Sequence, residues 1–173
     1  VINAFIGSIL VLQGYLSFSI LGGQQLVGIF LGLAGVREAA PILAATMVAA
    51  KAGTEMASQI AVMRTREQVD ALEVMAVNPY AWLGGPRLWG ILLVMPALTL
   101  IAITTTILAG RVVAQWQLGL DGVQFMNLVF QTISLRDLCI AEVKACFFGL
   151  IICLISTWCG FEAERGPEGV GQA

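Results

Sequence analysis

The sequence predicts an all-α integral membrane protein, a polytopic helical bundle, and three observations predict it. Charged residues make up 12% of the chain, half the ~25% of a soluble domain. Three long stretches carry no charge at all: Val1 to Val36, Leu88 to Gly110 and Ala145 to Phe161. A membrane-crossing helix needs roughly 20 apolar residues at about 1.5 Å each, so each stretch is a span or most of one. The third observation is bulk hydrophobicity: 58% of the 173 residues are apolar, and the mean hydropathy is +0.89.

Taken in order, the first span is expected from Val1 to Ile20, closed by a tight turn at Gly22-Gly23-Gln24-Gln25. Two spans are preferred here over one, because the glycine pair breaks the run and 36 uncharged residues exceed one crossing. The second apolar stretch runs from Leu26 to Ala50, interrupted by Arg37-Glu38 and Pro41. Residues Lys51 to Arg87 hold eight of the twenty charged residues and form the one soluble-looking segment. Thr65 and Gln68 have the spacing of a capping box. Val69, Leu72 and Met75 then recur at helical spacing, with Ala76 extending the stripe, while Glu67, Asp70 and Glu73 share another face. A short amphipathic helix from Thr65 to Val77 follows, ended by Asn78-Pro79. A third span is expected from Trp82 to Gly110, bent near Pro96, then a connection with a short interfacial helix over Val123 to Ile133. The fourth span is Leu138 to Gly160, with Glu142 and Lys144 in its first turns. About four spans result, followed by a polar loop from Glu162 to Ala173.

The side carrying the amphipathic helix and the C-terminal loop holds Lys51, Arg64, Arg66, Arg87 and Arg165, against Arg111 and Arg136 opposite. By the positive-inside rule that side is cytoplasmic. The chain opens inside an apolar run without an initiator Met and closes at Gly171-Gln172-Ala173. It is therefore read as an internal segment of a longer protein.

Composition also excludes chemistry. There is no histidine, which removes the commonest general base and metal ligand. Cys139, Cys146, Cys153 and Cys159 form no CxxC pair and read as small apolar packing residues. No basic, aromatic-interleaved patch suggests nucleic acid, and no Walker-type glycine loop suggests nucleotide binding by this chain. No catalytic or metal residue is expected.

Two constellations could carry function. Arg37-Glu38 places charge at membrane depth, where it faces a cavity or a partner. Neighbours on a helix point about 100° apart, so at least one of the pair needs a partner elsewhere. It is either a polar feature beside a substrate cavity or an ion pair locking two helices. The Thr65–Val77 helix is either a coupling helix that enters a groove on a soluble partner or a helix lying in the interface. Its Glu67, Asp70 and Glu73 favour a protein partner, because interfacial helices carry Lys and Arg. The Ala39 to Gly53 stretch, rich in alanine, and Gly32-Leu33-Ala34-Gly35 are read as close helix packing. Two other classes stay open: a membrane enzyme using Glu38, Glu142 or Arg37, and a structural scaffold of an envelope complex. The lack of any nucleophile–base pair argues against the enzyme.

Several segments together resemble one family. Leu12-Gln13-Gly14-Tyr15, Arg37-Glu38-Ala39-Ala40-Pro41, Lys51-Ala52-Gly53, Pro86-Arg87-Leu88 and Glu168-Gly169-Val170-Gly171 are similar to elements of MlaE/YrbE-type permeases. The long block Met63-Arg64-Thr65-Arg66-Glu67-Gln68-Val69-Asp70-Ala71-Leu72-Glu73-Val74-Met75-Ala76-Val77-Asn78-Pro79 is the most specific of them. The resemblance implies a five-span permease domain, of which residues 1–173 lack an N-terminal elbow helix and the last span. It implies a permease homodimer in the bacterial inner membrane that moves phospholipids or other hydrophobic molecules. Two cytoplasmic ABC ATPases would hold the ATP and Mg, and this chain would bind no cofactor. An MCE-domain protein and a STAS-domain protein would complete the assembly. Leu12, Tyr15, Arg37 and Glu38 would lie near the lipid cavity. Arg64, Arg66, Glu67, Asp70, Leu72, Glu73 and Met75 would belong to the ATPase-coupling helix. The chain departs from the family pattern at Gln59-Ile60-Ala61, at Lys51 and at Ala39-Ala40.

Overall fold

The computed structural model describes residues 1–20, 22–164 and 166. The described residues form helices and no strand. Six elements follow in order: α1 (Ile2–Ser19), α2 (Gln24–Thr65), α3 (Gln68–Val74), α4 (Pro79–Trp116), α5 (Gly122–Thr132) and α6 (Leu135–Glu162). Four of them, α1, α2, α4 and α6, are long and apolar enough to cross a membrane. Their exposed faces are apolar, with Phe5 and Leu16 on α1, Leu93 and Leu108 on α4, and Phe147 and Ile155 on α6. An apolar surface of that extent suits lipid or other helices rather than water.

The turn between α1 and α2 forms where the glycines stand, with Gly22 at a φ of +70° that glycine adopts without strain. Beyond it, the structure departs from the expected Leu26–Ala50. α2 continues for 42 residues, through Lys51 and Glu55, to Thr65. It is wound unevenly, with π-helical turns over Leu31–Ala39 and Ala49–Gly53 between α-helical segments. Polar residues do not by themselves end a helix, and Gly53 keeps a helical φ of −62°, so the change in composition at Lys51 changes the winding without ending α2.

The amphipathic helix is also shorter than expected. Thr65 does not cap it. Thr65 is the last residue of α2, and its Oγ1 donates to the Ala61 carbonyl of the preceding turn. Glu67 takes a left-handed φ of 59° and separates the two helices. α3 therefore covers Gln68–Val74 only. It closes in a Schellman arrangement, in which the Val77 N–H donates to the Leu72 carbonyl (3.0 Å) and the Ala76 N–H to the Glu73 carbonyl (2.9 Å). Asn78-Pro79 starts α4 rather than ending α3. The Asn78 Oδ1 accepts from the N–H groups of Tyr80 and Ala81, and Pro79 at the first helical position sacrifices no bond. α4 then runs unbroken through Pro86 and Pro96, 38 residues in all.

The chain forms two compact units, each discontinuous in sequence: Val1–Ala44 with Pro96–Ala145, and Ala45–Met95 with Cys146–Ala173. In the first, α1, the start of α2, the second half of α4, α5 and the start of α6 enclose Val11, Val27, Leu31, Ile103 and Val129. Small residues set how closely the helices approach. A Cβ on Gly7 would overlap the Thr106 carbonyl oxygen, and one on Gly28 would lie 2.8 Å from that of Phe125. In the second unit, the end of α2, α3, the first half of α4 and the end of α6 bury Ala57, Ile60, Val69, Ile91, Met95 and Cys153. Gly149 meets Ile91 and Met95, and Gly160 meets Ala57 and Ile60. Of the four cysteines, Cys153 is buried, while Cys139 and Cys159 are exposed.

Candidate functional site

In the first unit, the charges of α2 meet those of α6. Arg37 sits near the end of the first π-helical segment, four residues before Pro41. Proline has no N–H, so Pro41 gives no helical hydrogen bond to the carbonyls one turn back, Arg37 in α-helical register or Val36 in the π-helical register seen here. Lys144 of α6 supplies a donor instead. Its Nζ lies 3.3 Å from the Arg37 carbonyl oxygen, and 2.8 and 2.9 Å from the two carboxylate oxygens of Glu38. The Arg-Glu-x-x-Pro pattern thus has a local reason: the proline exposes a carbonyl beside the glutamate, and one ammonium answers both.

Arg37 points elsewhere, as the 100° step between helical neighbours requires. Its Nη2 lies 3.2 Å from Asp137 Oδ1. The other oxygen of Asp137 accepts from the Ser134 N–H at 3.1 Å, which closes the N-terminus of α6 in the manner of a capping box. Asp137 therefore does two jobs, and the helix N-terminus stabilises its charge. The two ion pairs link α2 and α6 within this unit. Counted along α2, Arg37 stands ~20 Å from Gln24, yet its partner is in the first turn of α6.

Leu12 and Tyr15 of α1 belong to the same unit. Both are half-buried, and Tyr15 packs against the apolar core. A cavity of about 210 Å³ in this unit is lined by Gln25, Gly119, Leu120, Asp121, Gln124 and Phe125, and by none of Leu12, Tyr15, Arg37 or Glu38. Asp137 and Lys144 were missed as site residues by sequence reasoning. The available signal was their spacing: seven residues apart, they lie on one face of a helix at the two levels where opposite charges were needed. Glu142 has both carboxylate oxygens buried without a hydrogen-bond partner in the described structure.

The second unit holds the 64–75 segment. Arg64 is not on the short helix. It lies in the last turn of α2, and its Nη1 donates to the carbonyls of Phe161 and Ala163, the latter at 3.0 Å. These are carbonyls that the end of α6 leaves unpaired, so Arg64 clamps α2 to that end. Arg66 and Glu67 form the turn, and Asp70, Leu72 and Glu73 lie on α3, with Met75 just beyond it. Val69 is buried, and Leu72 is half-buried. Glu67, Glu73, Val74 and Met75 are exposed, Val74 by 88%. The stripe at Val69 and Leu72 therefore anchors α3, and the residues left outward include two acids, Glu67 and Glu73, and two large apolar side chains, Val74 and Met75, beside the exposed Arg66 and Gln68. Gln59, where the chain departs from the family pattern, accepts from Arg87 at 3.4 Å and donates to Glu55 at 3.3 Å. Glu168-Gly169-Val170-Gly171 lies outside the described residues.

Comparison with known proteins places the chain by sequence. A family model described as "Permease MlaE" matches residues 1–173. A probable ABC transporter permease protein of Rickettsia typhi is 34% identical over 169 residues, 98% of this chain and 65% of the relative. A probable ABC transporter permease protein of Pyropia yezoensis is 31% identical over 169 residues, 98% of this chain and 64% of the relative. The intermembrane phospholipid transport system permease protein MlaE of Haemophilus influenzae is 31% identical over 170 residues, 98% of this chain and 65% of the relative. The chain thus spans about 65% of the length of the curated relatives it matches.

Proposed function

The chain belongs to the MlaE permease family, and on that premise we propose that it is the membrane-spanning part of an ABC transporter permease that moves phospholipid between membranes. It works as one of two permease copies in the bacterial inner membrane. Two cytoplasmic ATPases bind ATP and Mg, an MCE-domain protein receives or delivers the lipid, and a STAS-domain protein joins the assembly. The permease performs no chemistry. Leu12, Tyr15, Arg37 and Glu38 line or border the lipid path. The ion pairs Arg37–Asp137 and Glu38–Lys144 would then serve as breakable links between α2 and α6, of the kind a two-state transporter needs.

The observation that carries the reading is α3. A seven-residue helix is joined to two spanning helices through left-handed residues at Glu67 and Ala76. It is anchored by Val69 and presents Glu67, Glu73, Val74 and Met75 outward. That is the form of a short rigid knob for a groove on a soluble partner. An apolar tip with the acids Glu67 and Glu73 outnumbering the exposed Arg66 fits a basic-rimmed protein pocket better than an anionic lipid surface. The test is co-purification of the tagged full-length protein with quantitative mass spectrometry of bound ATPase. Reversal of both exposed acids, Glu67→Lys with Glu73→Lys, is expected to lower ATPase recovery by roughly tenfold, because like charges across an interface cost several kcal/mol. Unchanged recovery from a folded variant would remove α3 from the interface.

A further inference from the structure

A second polar feature of the second unit is absorbed neither by α3 nor by the ion pairs. A cavity of about 250 Å³ is lined by Arg64, Tyr80, Trp158, Phe161 and Glu162. Tyr80 lies in the first turn of α4, and Trp158 and Glu162 lie in the last turns of α6. The Tyr80 and Phe161 rings pack with centroids 4.3 Å apart, which fixes the aromatic wall. The Arg64 guanidinium is held in place by the Phe161 and Ala163 carbonyls. Among the described residues no carboxylate lies within 4.0 Å of it, and no Lys or Arg nitrogen lies within 4.0 Å of Glu162. One cavity therefore carries a positioned cation and a separate anion that do not neutralise each other, beside exposed indole and phenol rings.

This combination selects its ligand. A simple anion drawn to Arg64 meets Glu162, and a simple cation drawn to Glu162 meets Arg64. A zwitterion satisfies both: its phosphate faces the guanidinium, which suits oxyanions geometrically, and its ammonium faces the carboxylate and the indole face. Trp and Tyr at the ends of spanning helices stand at headgroup level. We propose that this cavity is a binding site for the headgroup of a zwitterionic phospholipid. The site rests on the membrane embedding of the chain and is separate from the transport reading, because its test reads bound lipid rather than lipid movement.

The full-length protein, purified in a mild nonionic detergent, is equilibrated with phosphatidylethanolamine and phosphatidylglycerol of matched acyl chains. Retained lipid is counted by native mass spectrometry, with inorganic phosphate as a soluble competitor. Wild type and the control Trp116→Leu, an exposed indole of the first unit, are expected to retain phosphatidylethanolamine preferentially. Glu162→Gln and Trp158→Leu are each expected to cut that preference roughly threefold, the size of one exposed ion pair or cation–π contact. Phosphate should not displace the lipid. An unchanged preference in Glu162→Gln, a conservative change at an exposed position, overturns the proposal even if Trp158→Leu fails to fold. Equal retention of phosphatidylglycerol overturns it too, as does full displacement by phosphate, which would mark Arg64 as a plain anion site.

Discussion

Lys144→Met tests the account of the Arg-Glu-x-x-Pro segment, because one nitrogen serves two acceptors on α2. The substitution keeps an unbranched apolar stem and removes the charge. It leaves the Glu38 carboxylate without its 2.8 and 2.9 Å partner and the Arg37 carbonyl without its 3.3 Å donor. The side chains are 35% and 60% exposed, but at membrane depth their surroundings screen less than water, so the pair is valued at about 1–3 kcal/mol, between an exposed pair and the ~3–5 kcal/mol of a broken buried one. The lost 3.3 Å hydrogen bond to the carbonyl adds about 1 kcal/mol. The expected loss is therefore about 2–4 kcal/mol, read as the unfolding free energy of the full-length protein in mixed detergent and SDS micelles. Two further variants divide the effect. Glu38→Gln with Lys144→Met should recover about 1–3 kcal/mol, since no uncompensated carboxylate remains. Pro41→Ala restores an N–H four residues after Arg37, and in that background Lys144→Met should cost about 1 kcal/mol less, because the carbonyl regains a helical donor. A loss below about 0.5 kcal/mol, or the same loss in the wild-type and Pro41→Ala backgrounds, would refute the reasoning that the proline makes the lysine necessary.

Two other outcomes follow from backbone geometry. Ala76 closes α3 with a φ of +57°, so Ala76→Gly should stabilise by about 1 kcal/mol and slow hydrogen exchange over 68–77, measured by mass spectrometry; faster exchange there would contradict the assigned Schellman closure. At the α1 crossings, Gly7→Ala drives a Cβ into the backbone oxygen of Thr106, whereas Gly14→Ala meets only the Phe30 ring at 2.8 Å. A ring can swing aside and a backbone cannot, so Gly7→Ala should cost about 1–3 kcal/mol and Gly14→Ala distinctly less, with equal thermal midpoints counting against the crossing at Thr106.

How much was legible depends on whether a feature is local. The Gly22-Gly23 turn was readable because a left-handed φ leaves a composition mark. The limits of α2 and α3 were not. Thr65 carries the capping-box spacing, but its hydroxyl had a competing acceptor in the Ala61 carbonyl, and a spacing rule does not say which of two hydrogen bonds forms. Asn78-Pro79 could equally end one helix or begin the next, and the Asn78 side chain decided by accepting from Tyr80 and Ala81. Arg64 read as part of a charged helix, and only the nearby end of α6 reveals it as a clamp on the Phe161 and Ala163 carbonyls.

The sequence by itself determined that this is an all-α membrane protein with four spanning helices, and that Arg37-Glu38 requires partners. Both follow from free energies summed along the chain: the transfer of apolar residues into lipid and the cost of charge at that depth. Only the tertiary structure decided who the partners are. Asp137 and Lys144 lie about a hundred positions further on, Lys144 being 106 residues from Glu38, and nothing local sets which turn of α6 faces which turn of α2. That alignment comes from close helix approach at glycines such as Gly53 and Gly160, where α2 and α6 meet.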